Sequence, residues 1–348
     1  MANEITGREL IVGLKKATTW HTPVACGAGD GLLVLSDGIK ATVPMELDDS
    51  AGQEWISQAD PGLKDIKVTP EAYMRYEGFE TALALIMGIA GAPVQQEATA
   101  AYLHTLRLAS NIFGKFATLA ALKLTNKVWE LPSIKLHGFK ITSEMNKPAK
   151  ILFEGIADIL DRGSAVNTTV TIASVTIPDA VNRLFMDKNT VVRVNDQSGA
   201  ALDDTMKIYP SSIEFSFSRP MDSEPVAGQD GVDEPMDNGF PTAMLTMKFP
   251  RYNAANDAFF TDWDNFTSKK MDITFTGKAI EGAYNYQHKL IMPHLKVDNP
   301  EAPVSGPGKI PFSLTFQVLA ASSAPTGMAY ADPFWLEIIN KRTTDPLA

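Results

Sequence analysis

The sequence predicts a mainly β fold, a β-sandwich with one α-helix, long loops and a hint of a duplicated β region. Three observations carry this. In KIPFSLTFQVL, Lys309 to Leu319, the residues Ile310, Phe312, Leu314, Phe316 and Val318 alternate with Pro311, Ser313, Thr315 and Gln317, a period of two that sets one apolar face on a core. The Pro/Gly cluster PEAPVSGPGK cannot continue a helix and links this stretch to a second extended segment, HKLIMPHLKV, so the two read as an antiparallel pair. One clear helix, YEGFETALALIM at about 76–88, ends at Gly88 in a chain otherwise built of short alternating runs.

Taken in order, ELIVG (Glu9 to Gly13) reads as a first strand, followed by a stretch rich in turn formers and an extended piece from Leu32 to Leu35. Between Ser36 and Thr69 periodicity is lost while DDSAGQE and QADPG accumulate, which predicts a long loop or arm. Within it Asp48, Asp49, Glu54 and Trp55 are candidate contact residues. The helix is expected to cover a face or edge of a sheet. From Tyr102 the pattern is β-like, and the apolar parity flips at Gly138, which suggests a bulge. NTTVTIASVTI (167–177) and TVVRV (190–194) extend the β pattern, and Leu131–Leu136 resembles Tyr209–Phe215 as a hint of duplication. Arg219 to Phe240 carries Asp222, Glu224, Asp230, Asp233, Glu234 and Asp237 with three prolines and no cation after Arg219. Repulsion and blocked pairing predict an extended, mobile loop. A short helix over 257–266, a strand over 270–280 and a helical turn or two in FWLEIINKR complete the reading.

A net charge of −10 argues against a surface that grips nucleic acid, since phosphate binding needs clustered Lys and Arg. The single cysteine, Cys26, excludes an internal disulfide framework and a multi-Cys zinc site. MANEITGREL lacks the apolar core of a secretory signal, and the longest apolar run, 81–94, is too short to span a bilayer, so membrane insertion is not expected. GAGDG (27–31) lacks the Lys of a phosphate cradle and reads as a turn. His21, His104, His137, His288 and His294 are scattered, and Asp203–Asp204 sits in a solvated turn setting. No catalytic, cofactor-binding or metal-binding set is expected.

ELIVGLKKATTWHTPV, YLHTL with VWELPSIKLHGFKIT, and GKAIEGAYNYQHKLIMPHLKVDNPEAPVSGPGKIPFSLTFQVL together resemble the major tail tube proteins of long non-contractile bacteriophage tails, over most of residues 1–320. The resemblance implies a tail-tube-type β-sandwich or barrel with a flanking α-helix, long loops and an inserted or duplicated β region, in a structural virion protein made in the host cytoplasm. It forms rings, hexameric in most of the family, whose inner strands join, and the rings stack into a hollow tube for DNA delivery. The implied partners are other copies, a tape measure protein, tail terminator and tip proteins, and passing double-stranded DNA without specific binding. On this resemblance, residues 1–162 hold the first part of the tube domain with an inter-ring arm at about 36–69. Residues 163–250 are an elaboration or second β unit with the acidic loop 219–240, and 251–348 supply the closing strands and C-terminal tail. Ile310, Phe312, Ser313, Leu314, Thr315, Phe316, Gln317 and Val318 are the candidate assembly strand. The alternatives are a carbohydrate- or host-surface-binding β module and a hydrolase using His104 or His137.

Overall fold

The computed structural model describes residues 4–163, 166–179, 182–226, 228 and 230–348. Its principal strands are β1 (Val12–Ala17), β2 (Ile39–Thr42), β3 (Met45–Leu47), β4 (Ala59–Pro61), β5 (Asp65–Val68), β6 (Glu71–Tyr73), β7 (Tyr102–Leu108), β8 (Phe116–Leu124), β9 (Lys127–Glu144), β10 (Lys150–Ala157), β11 (Val191–Asp196), β12 (Ser212–Ser218), β13 (Thr242–Phe249), β14 (Ser268–Glu281), β15 (Tyr284–Glu301), β16 (Phe312–Leu319) and β17 (Trp335–Asn340). The helices are α1 (Glu80–Met87), α2 (Thr169–Ala173) and α3 (Ala254–Asp264). The fold is mainly β, as its alternating runs predict, and the sheet stays open instead of closing into a barrel.

β15 and β16 form the antiparallel pair expected from their sequences, from His294 opposite Leu319 to Glu301 opposite Ser313. Pairing then runs from β16 through β13, β12 and β9 to β10. Along β12, β13 and β16 every second side chain is buried, which gives this layer a core face and an outer face.

β9 and β15 each span 18 residues and connect two parts of the sheet. β9 pairs with β8 near its start and with β12 near its end, and β15 does the same with β17 and β16. A register shift between Leu136 and Gly138 marks the bulge that the parity change predicts. The runs β8–β9–β10 and β14–β15–β16 repeat one plan. Each is a tight hairpin into an 18-residue strand, followed by an 8-residue strand on that strand's other edge. The Leu131–Leu136 and Tyr209–Phe215 segments, whose similarity hints at duplication, fall on the neighbouring strands β9 and β12.

The core lies between the two parts of the sheet. Phe139 of β9 and Phe215 and Phe217 of β12 meet Phe334 edge-on, with ring centroids 6.2, 4.9 and 5.1 Å away. Such pairs add to the area they bury. α3 lays Phe259 on Phe312 and Phe316. α1 is buried on almost every side instead of covering an edge, and Glu80 and Ala82 to Met87 are all inaccessible. It ends at Gly88, whose φ of 87° suits glycine and where a Cβ would come within 2.7 Å of Ala109.

Three elements differ from expectation here, and the acidic loop, described with the site, is a fourth. Residues 169–173 form α2, because Thr168 caps the turn through Thr171 N and only Ile172 is buried, too little apolar pattern to hold a strand. The segment expected to end in helical turns is instead β17, inserted between β7 and β15 with Trp335, Leu336, Ile338 and Asn340 buried. The arm carries its own ladders, described below.

Burial pushes the His288 imidazole down to about 4, so the folded state resists a proton that the unfolded chain accepts near 6.5. The stability this group supports is complete above 6.5 and lost as pH falls towards 4, about 3 kcal/mol in full. Buried Glu80, whose carboxyl is raised by burial, acts in the opposite sense as pH falls. Urea unfolding at pH 7.5 and pH 5 should therefore show His288→Leu gaining stability relative to wild type at the lower pH; parallel profiles would remove His288 from the account.

Candidate functional site

The outer face of the central layer is built row by row from the strand register. One row reads Lys140, Ser216, Met244, Gln317, Lys296; the next Thr142, Glu214, Thr246, Thr315, Asn299; the next Glu144, Ser212, Lys248, Ser313, Glu301. Ser313, Thr315 and Gln317 of the candidate assembly strand lie on this face, while Phe312, Leu314, Phe316 and Val318 are buried beneath it. Ile310 precedes the strand, and its carbonyl accepts from Tyr252 N. Hydroxyls link neighbouring strands, with Thr246 Oγ1 3.2 Å from Thr315 Oγ1, and Lys140 pairs with Glu214 at 2.7 Å. Lys140, Lys248 and Lys296 balance Glu144, Glu214 and Glu301. The face is polar and nearly neutral, and the chain's acidity sits elsewhere.

Much of that acidity is on the arm. The region 36–69 is a two-tiered β-hairpin: β2 pairs β5, and β3 pairs β4 beyond it. Ile66 and Val68 anchor its base in the core, and β5 adds to β10. Beyond the base every residue from Lys40 to Pro61 is exposed, including Asp48, Asp49, Glu54 and Trp55. Trp55 is 79% exposed and Met45 72%. Hydrogen bonds from Ser50 hold the Asp48 carboxyl below its usual range. Leu47 and Ile56 of the same hairpin are exposed as well.

The acidic loop is not the unpaired segment that its prolines and charges suggest. Met221–Asp222 pairs with Met236–Asp237, Pro225 bridges Val232, and the loop is strapped across the molecule. Residues 227 and 229 lie outside the described residues. Glu234 pairs with Lys135, whose side chain is 1% exposed, and also accepts from Gly114 N at 2.7 Å. Asp237 lies 3.6 Å from the Arg219 guanidinium, which also donates to Ala109 O. Trp20 Nε1 donates to Val232 O at 2.9 Å. Burial pushes the Lys135 ammonium down while Glu234 works against it. Lys135 and Arg219 thus place cations against the carboxylates of the strap. Asp222 accepts from Asn238, and Glu224, Asp230 and Asp233 remain exposed. Lys135 escaped sequence reading because alternation with Ile134 and Leu136 places it outward; the only cue was Arg219 heading an otherwise uncompensated acidic run.

The remaining candidates serve the fold. Burial pushes the Cys26 thiol up to about 12, which leaves it a thiol. His104 Nε2 is held by Asn340 and the Arg342 carbonyl. GAGDG is a turn closed by Asp30 on Gly27, Asp203 caps a 3₁₀ turn, and Asp204 pairs with Lys207. Among the described residues no cluster of His, Cys, Asp and Glu is arranged to hold a metal ion, and no helix is long and apolar enough to cross a membrane.

A family model described as phage tail tube protein matches residues 7–318 of the chain. No curated protein matches it.

Proposed function

Since this chain belongs to the phage tail tube protein family, we propose that it assembles with copies of itself into rings that stack as the hollow tube of a long, non-contractile tail. The observation that carries this reading is the continuous polar face of the central layer. Its Ser, Thr and Gln side chains and balanced charges suit a channel wall past which DNA slides without being held. The apolar, acidic arm is the natural bridge between successive rings, and the strap lies on the outside or between them. Residues 163–250 then elaborate the tube domain formed by 1–162 and 251–348. A tape measure protein inside the tube and terminator and tip proteins at its ends complete the assembly.

For ring size, six copies is the family's usual number. The repeated plan of β8–β9–β10 and β14–β15–β16 favours a second reading, in which three chains supply six equivalent units. An end-on image of a ring separates three-fold from six-fold symmetry.

Glycan capture by an isolated monomer would favour the surface-binding alternative. If the polar face is the channel wall, Glu214→Lys with Glu301→Lys makes it cationic at every ring. DNA release from virions carrying this protein should slow severalfold, and the delay should shrink as salt rises. Unchanged release would place this face away from the DNA.

A further inference from the structure

The arm and one cleft of the chain sit at opposite ends of β10. The base of the arm is in register with the far half of that strand, Val68 opposite Gly155 and Lys67 opposite Ile156, so the hairpin projects past Ala157. At the other end, beyond Lys150, Phe185 bridges Pro148 and Met186 bridges Met145. There a cleft of ≈ 430 Å³ opens between the 182–189 segment and β14, lined by Tyr76, Arg183, Phe185, Asn189 and Lys278. Eight residues of strand between the two ends correspond to about 25 Å.

The two features are complementary. Between Lys40 and Lys64 the arm carries Glu46, Asp48, Asp49, Glu54 and Asp60 and no cation, and its tip displays Trp55 and Ile56 at 79% and 55% exposure. The cleft offers Arg183 and Lys278 beside the aromatic rings of Tyr76 and Phe185, and exposed Lys188 follows in the same segment. The Arg183 guanidinium already lies 5.4 Å from the Tyr73 ring and 5.5 Å from the Phe185 ring, a setting into which a further aromatic ring fits. Its carboxylate, Asp187, is engaged by Asn189, through the backbone N at 2.8 Å and Nδ2 at 3.1 Å.

We propose that the acidic arm tip of one copy, led by Glu54, Trp55 and Ile56, seats in the Arg183–Phe185–Lys278 cleft of the next copy. The donor and acceptor surfaces differ and lie at opposite ends of one strand, so the contact is heterologous, the kind that can repeat from copy to copy along a stack. This rests on the reading of the arm as the bridge between rings, and it adds where the bridge lands.

The test joins Trp55→Cys with Asn189→Cys. The native Cys26 is buried, so it contributes no background. Mild oxidation of assembled protein should give a ladder of covalent multimers that reductant collapses; a control pairing Trp55→Cys with Lys127→Cys should give none. A second arm is charge reversal. Arg183→Glu with Lys278→Glu should abolish long tubes, and adding Asp48→Lys with Glu54→Lys should restore them. Normal tubes from the cleft variant, or no ladder from the cysteine pair in tubes, would overturn the acceptor while leaving the arm as the bridge. Normal tubes from a chain lacking the arm would overturn both.

Discussion

A chain in which residues 43–62 are replaced by a short Gly/Ser link should fold normally and form no long tubes. The excised segment contributes nothing to the core: every residue from Lys40 to Pro61 is exposed, and the buried anchors Ile66 and Val68 stay in place. The ladder between β2 and β5 ends at Thr42 opposite Asp65, so the link closes a hairpin that is already paired. Loop-closure entropy changes only slowly with loop length, so the change in stability should be small. Assembly should respond very differently, because a stack gains or loses the same contact at every ring. Circular dichroism and a melting curve close to wild type, combined with rings or single chains in negative stain, are the expected pair of results. Long tubes from this chain would show that the rings hold together through other surfaces.

Glu234→Ala should be among the most destabilising single substitutions outside the apolar core. Lys135 has almost no access to water, and Glu234 is the carboxylate paired with it; without that partner the ammonium keeps the Ile112 carbonyl and the weaker attraction of Asp237. Leaving a buried charge unpaired costs about 3–5 kcal/mol. Lys135→Met combined with Glu234→Leu removes both charges and should recover most of the loss. Limited proteolysis should separate the variants too, with Glu234→Ala cut within 219–240 faster than wild type and the double variant cut at an intermediate rate. A fall of only about 0.5 kcal/mol, the value of an exposed pair, would mean that the strap is not clamped.

The architecture was legible where one physical signal dominated. Alternation in 309–319 and 288–297 gave strands whose pairing followed from the turn between them, and the glycine after Met87 marked the end of α1. The parity change at Gly138 located a bulge because a slip of one residue moves side chains to the other face. The signal failed where tertiary contacts outvoted local pattern. FWLEIINKR has a mixed pattern that a helix could use, yet the gap between β7 and β15 takes it as a strand. The acidic strap looks unstable alone, since the cations that neutralise it are Arg219 at its own edge and Lys135 about a hundred residues earlier. The candidate contact surfaces were only half visible. Trp55 and the carboxylates of the arm could be named, but the cleft formed by Arg183, Phe185 and Lys278 joins segments that no linear pattern connects.

The most direct test of self-assembly into a tube is negative-stain microscopy of the purified full chain over a rising concentration series, with sedimentation velocity on the same samples. The structure's polar sheet face, its projecting arm and its family together predict hollow tubes of constant diameter with a regular axial repeat, growing in number with concentration. A chain that sediments as a single monomeric species at the highest concentration and shows no rings or tubes would contradict the account.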